Sequence, residues 1–137
     1  MARTDRLRKQ HVELVKVVEI LSGYLNEANI AQDAAGARTA MSELAGKLGV
    51  HLSMEDKVLY PEMIKCADPK TKATAEKFVL EMGDIATAFT AYNGKWTIPF
   101  IGADPASFIK ETKGIFEVLS KRIAREEGEL YPLADQL

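Results

Sequence analysis

The stretch HLSMEDKVLYPEM, residues 51–63, is echoed by RIAREEGELYPLA, residues 122–134. Superimposed, the two share an acidic pair followed by Leu-Tyr-Pro. Glu55 matches Glu126, Asp56 matches Glu127, Leu59 matches Leu130, Tyr60 matches Tyr131 and Pro61 matches Pro132, all at an offset of 71 residues. The same offset relates Asp33 to Asp104, His51 to Arg122 and His11 to Met82. In a chain of 137 residues, such a repeat predicts two related helical hairpins packed face to face about a pseudo-twofold axis. The expected fold is all-α: an up-down-up-down four-helix bundle, one domain spanning residues 1–137.

Working outward, no alternating strand pattern of useful length interrupts the helical periodicity. Thr4 or Asp5 is placed to open the first helix and Asp33 to cap the second. Asp68-Pro69 and Asp104-Pro105 set an N-cap and a first-turn proline for the third and fourth. The fourth is expected to end near Tyr131-Pro132. The connection NGKWTIPFIGAD, residues 93–104, carries the lone Trp and is expected to fold back as a packed loop. Apolar stripes at spacings of three and four run through Leu7, His11, Leu14, Val18, Leu21 and Leu25, and through Met41, Leu44, Leu48, His51, Glu55 and Val58. Later they take Phe78, Met82, Ile85, Phe89 and Tyr92, then Phe108, Thr112, Ile115, Leu119, Arg122, Glu126 and Leu130.

These stripes turn polar in one matching region. An unsatisfied polar group in a core costs about 1–3 kcal/mol, so His11, His51, Glu55, Arg122 and Glu126 on core-facing positions require partners. The repeat implies a symmetrical site with a nitrogen donor on each first helix and a nitrogen-x-x-x-carboxylate pair on each second. Residues at i and i+4 share a helix face, so His51 and Glu55 aim at a common ion, and imidazole with carboxylate suits Zn²⁺ or Fe²⁺. The candidate metal ligands are therefore His11, His51, Glu55 and Glu126, with Met82 and Arg122 standing at substituted ligand positions. Met82 reads as core filler. Tyr60 and Tyr131 read as seals at their helix ends, and Glu127, Glu129 and Asp135 as a solvated helix end.

Composition narrows the function classes. Eighteen basic and twenty acidic residues, interspersed, leave a net charge of −2 and no basic face for nucleic acid. The start ARTDRLRK leads into an amphipathic segment, so no signal peptide is expected, and no apolar run is long enough to span a membrane. The single cysteine, Cys66, excludes an internal disulfide and reads as a small buried thiol in a cytoplasmic protein. Glu-x-x-His pairs, a glycine-rich phosphate loop and a His-Glu-x-x-His helix are all missing.

On His11, HLSMEDKVLYP and IAREEGELYPL the chain resembles the hemerythrin family, the HHE cation-binding domains, over essentially its whole length. The last segment is similar to the family's H-I-x-x-E-E-x-x-L-[YF]-P. The resemblance implies a four-helix bundle around a non-haem di-iron centre with about five histidines and two bridging carboxylates. By position, His11 and His51 match ligands of one iron, and Glu55 and Glu126 the bridges. The other iron's ligands fall at Met82, at a neighbour such as Phe78, and at Arg122, none of them histidine. Oxygen carriage in the family draws one electron from each of two irons, so this chain is not expected to be an oxygen carrier. The expectation is a non-enzymatic cation-binding or sensing domain with one iron or zinc ion at most, its metal being the partner and any protein partner or oligomer open. The alternative is a metal-free interaction module in which Arg122 supplies the missing positive charge.

Overall fold

The structure, a computed structural model, describes residues 2–137 apart from the side chains at 82 and 83. Helix α1 runs Asp5–Ser22, α2 Glu27–Met54, α3 Tyr60–Lys65, α4 Pro69–Lys95, α5 Ile98–Ala103, α6 Pro105–Arg125 and α7 Tyr131–Ala134. Two π-turns, Glu55–Leu59 and Glu126–Leu130, join α2 to α3 and α6 to α7 without a break. The described residues contain no strand. The four rods of the up-down-up-down bundle are thus α1, α2 with α3, α4, and α6 with α7.

The anticipated caps form. Asp68 accepts from Thr71 N at 3.1 Å, and Asp104 accepts from Ser107 N at 3.2 Å. Thr4 precedes α1, but its hydroxyl donates to Asp135 at 2.7 Å instead of capping. The second rod starts earlier than expected, because Asn26 caps a first stretch by accepting from Asn29 N. Asp33 then breaks from helical geometry (φ −153°, ψ 66°) and accepts from Gly36 N at 2.8 Å, capping the long remainder. A Cβ at Gly36 would meet the Asp33 carboxylate and the Tyr24 hydroxyl, so a larger residue there would have to displace the capping side chain.

The segment 93–104 is more ordered than a loop. Its first residues finish α4 and most of the rest is α5, with Trp96 buried edge-on to Phe108 at 5.5 Å between ring centroids. Arg38 donates to the carbonyls of Asn93 and Trp96, satisfying the end of α4. The fourth rod continues past Tyr131-Pro132 to Ala134. Cys66 is half-buried at the end of α3, not enclosed.

The π-turns account for one misplaced core residue. A straight α-helix would place Val58 on the stripe after Glu55, yet Val58 is exposed and Leu59, Tyr60 and Met63 are buried. Pro61 and Pro132 have no N–H and clash with the carbonyl four residues back, and the preceding Tyr N–H instead bonds five residues back, to Glu55 O and Glu126 O. Each wider turn carries a residue at i+5 onto the face of residue i. Glu126, Leu130, Tyr131 and Ala134 accordingly repeat the burial of Glu55, Leu59, Tyr60 and Met63.

Two apolar clusters result. One contains Leu14, Leu21, Met41, Leu44, Phe89, Phe108 and Leu119, the other Leu7, Leu59, Tyr60, Met63, Phe78, Leu130 and Tyr131. Along the rods His11 falls between Leu7 and Leu14, His51 between Leu48 and Leu59, and Arg122 and Glu126 between Leu119 and Leu130. The polar layer is therefore closed at both ends by apolar packing. Thr112, the other polar residue of its stripe, is satisfied by the Tyr92 hydroxyl at 2.6 Å.

Candidate metal centre

Three of the four rods deliver this layer. From α1 comes His11, from the end of α2 come His51 and, one turn on, Glu55, and from the last rod come Arg122, Glu126 and Tyr131. All six are buried. His11 Nε2 lies 3.1 Å from His51 Nε2 and 2.9 Å from Glu126 Oε1, which lies 3.4 Å from His51 Nε2. Glu55 Oε1 lies 3.3 Å from His51 Nε2, and Glu55 Oε2 accepts from the Tyr131 hydroxyl at 3.0 Å. All four residues singled out as ligands therefore meet at one place, and three of them, His11, His51 and Glu126, present donor atoms within 4.8 Å of one another.

These atoms fit a cation. Metal bonds of about 2.0–2.2 Å give ligand-to-ligand edges of about 3 Å at right angles and about 3.5 Å at tetrahedral angles, the range of the separations among His11, His51 and Glu126; Glu55 adjoins this group only through His51. The donor set is rich in lone pairs and poor in protons, and among the described residues Glu55 Oε1 and Glu126 Oε2 accept no hydrogen bond although both are fully enclosed. Orphaned buried carboxylate oxygens are costly without a positive partner.

The electrostatics agree. Burial, reinforced by the Glu126 carboxylate pressed against it, raises the Glu55 carboxyl to about 8. Burial opposes protonation of His51, but the adjoining Glu126 and Glu55 carboxylates outweigh it and raise the imidazole to about 9. Glu126 is held low despite its burial, by hydrogen bonds from Glu55, His11 and His51. The cluster thus draws positive charge toward itself, as a proton or as a metal.

The other half of the pseudo-twofold layer differs. Arg122 turns inward, its Nε 3.7 Å from Glu126 Oε2, one terminal nitrogen donating to the Tyr60 hydroxyl at 2.7 Å, and its Cζ 4.6 Å from the centroid of the Phe78 ring. The two positions expected to have lost histidine, Phe78 and Arg122, pack as a cation–π pair. The guanidinium does not fork across both carboxylates; its only ion pair among the described residues is with Glu126. The third substituted position, Met82, has its side chain outside the described residues.

The surroundings of the centre depart from the sequence expectation. Tyr60 and Tyr131 do not merely seal helix ends: their hydroxyls enter the polar layer, each meeting the opposite half's charged residue. The repeat contained this signal, but i+5 faces inward only if the turn is known to be π. Glu129 is exposed as expected, but Glu127 and Asp135 are only partly so and are tied to neighbouring side chains. Glu127 Oε1 sits 3.1 Å from His11 Nδ1, its other oxygen accepts from Arg8 at 2.6 Å, and Asp135 accepts from Thr4 and Arg8. Gln10 Oε1 sits 2.8 Å from His51 Nδ1. Nothing in Gln10 or Arg8 distinguishes them by sequence from ordinary surface residues of an amphipathic helix.

The family model described as the hemerythrin HHE cation-binding domain matches residues 2–134. No curated protein and no solved structure matches the chain.

Proposed function

The chain belongs to the hemerythrin HHE cation-binding family, and from that premise we propose a cation-binding or sensing domain that holds at most one ion, iron or zinc. His11, His51, Glu55 and Glu126 would hold it. The ion would supply a buried positive charge that neutralises two carboxylates, and in that core it would be shielded from water by the two apolar clusters. Tyr131 keeps Glu55 oriented by donating to Oε2.

One observation carries the limit of one ion: the buried Arg122 guanidinium, seated on Phe78 and beside Glu126. It is a permanent cation on the side where the repeat would place a second metal's nitrogen ligand. A dication there would meet a fixed like charge and find no imidazole among the described residues. Reversible oxygen carriage, which in this family draws on two irons, is therefore not part of the proposal, and no enzymatic step is assigned. Removal of His51 tests the site. The His51→Ala variant lacks one nitrogen and the i,i+4 geometry, and is expected to take up no iron or zinc under conditions that load the parent, measured by elemental analysis. Undiminished uptake places the ion elsewhere.

Arg122 also favours a second reading, a metal-free module whose built-in cation stabilises Glu126. The two readings differ in what removal of Arg122 does to the stability of metal-loaded and chelated protein.

A further inference from the structure

Both outer imidazole nitrogens of the centre are engaged from outside it. We propose that Gln10 and Glu127, the latter anchored by Arg8, are positioning residues that fix His51 and His11 as Nδ1–H tautomers and so aim both Nε2 lone pairs at one cation. This inference rests on the single-ion reading above.

For His51 the direction of the hydrogen bond follows from the amide. Gln10 Nε2 points at Met54 Sδ at 3.0 Å, which turns Oε1, an acceptor only, toward Nδ1 at 2.8 Å. A proton on Nδ1 answers that acceptor, so Nε2, which faces Glu126 and Glu55, is the nitrogen a cation takes, displacing any proton held there. For His11 the partner is a carboxylate, which also only accepts. Its position is itself determined: Arg8 donates to Glu127 Oε2 at 2.6 Å, to Asp135 at 3.2 Å and through Nε to Thr4 at 3.0 Å, and lies 5.2 Å from the Tyr131 ring centroid. Arg8 is thus held by both chain ends before it holds Glu127.

Two consecutive residues at the start of the second π-turn form one side of this clamp. Glu126 and Glu127 are consecutive, yet one reaches Nε2 and the other Nδ1 of the same His11 ring. The two outer partners also come from both sides of the centre, because Gln10 and His11 are neighbours on α1 that address different rods.

At an offset of 71 residues, Glu127 corresponds to Asp56 and Arg8 to Val79, both exposed. Gln10 corresponds to Glu81, which pairs with Arg125 and not with Arg122. The half with no histidine to orient thus shows no comparable clamp among the described residues. Outer-shell acceptors on metal-bound imidazoles fix tautomer and ring orientation, and losing one typically weakens metal binding about 10- to 100-fold.

The test is zinc affinity by chelator competition in the full chain, with the ring N–H signals of the zinc-loaded protein read by nitrogen-15 NMR. Gln10→Leu and Glu127→Ala are each expected to weaken zinc binding about 10- to 100-fold and to shift or broaden the Nδ1–H signal of their own histidine only. Gln10→Glu, which keeps an acceptor at the same place, is expected to stay within about threefold of the parent. Parent zinc uptake with Gln10→Leu and Glu127→Ala both at parental affinity overturns the inference alone, as does a Gln10→Glu loss equal to that of Gln10→Leu. Failure of the parent to take up zinc or iron overturns the single-ion reading as well. If Glu127→Ala does not fold, the Gln10 pair still decides the question.

Discussion

Arg122 is the residue whose meaning changes most with the state of the centre. Without metal it is the permanent cation beside Glu126, and the Arg122→Met variant leaves Glu126 Oε2 without its guanidinium partner. Breaking such a pair typically costs about 3–5 kcal/mol, and the 3.7 Å separation puts the expected loss at the lower end, about 3 kcal/mol. With a metal neutralising Glu55 and Glu126, the same substitution removes a redundant charge and is expected to cost less than about 1 kcal/mol. Urea unfolding of parent and variant, each metal-loaded and chelated, separates these values. An equal loss in both states means that Arg122 acts through its packing on Phe78, and no loss in either contradicts a role for the ion pair. His11, His51, Glu55 and Glu126 are legible in the sequence as ligands, because polar groups on core stripes at a repeated spacing have few explanations. Gln10 and Arg8 are not, since a half-buried polar residue on a helix flank has no sequence signature until its target is known.

At the scale of elements, the π-turns decide which side chains line the centre. They move Val58 out and bring Tyr60 in, so substitutions at adjacent positions are expected to behave oppositely. Leu59→Ala removes a buried side chain and is expected to cost about 2–4 kcal/mol, whereas Val58→Ser on the exposed side is expected to stay within about 0.5 kcal/mol of the parent. Denaturant midpoints check both, and a loss at Val58 matching that at Leu59 contradicts the wide turn. The caps at Asp33, Asp68 and Asp104 are readable because Asp before a helical run has a local mechanism. The π-turns are harder to read from Leu-Tyr-Pro, although the proline that follows each tyrosine is their local cause. Hydrophobic periodicity assumes a constant pitch: across the first π-turn it selects Val58 in place of Leu59, whereas across the second it still reaches Leu130.

For the molecule as a whole, the repeat of 71 residues is the strongest signal in the sequence: a four-rod bundle with one polar layer follows from it, and both are present in the structure. What the repeat could not convey is how unequal the halves have become. One side of the layer gathers two imidazoles from the first half, a carboxylate from each half and an outer clamp reaching to Thr4 and Asp135; the other side holds a guanidinium over an aromatic ring. A repeat that implies a symmetrical site thus presents here a layer with one candidate cation site and one built-in cation. The number of metal ions per chain at saturation measures this most directly. Protein loaded anaerobically with excess Fe²⁺, freed of unbound metal and analysed for iron against protein concentration is expected to hold one ion per chain, or none if Arg122 and protonated His51 suffice. Two irons per chain would contradict the account, since the second would have to bind beside Arg122 without histidine ligands.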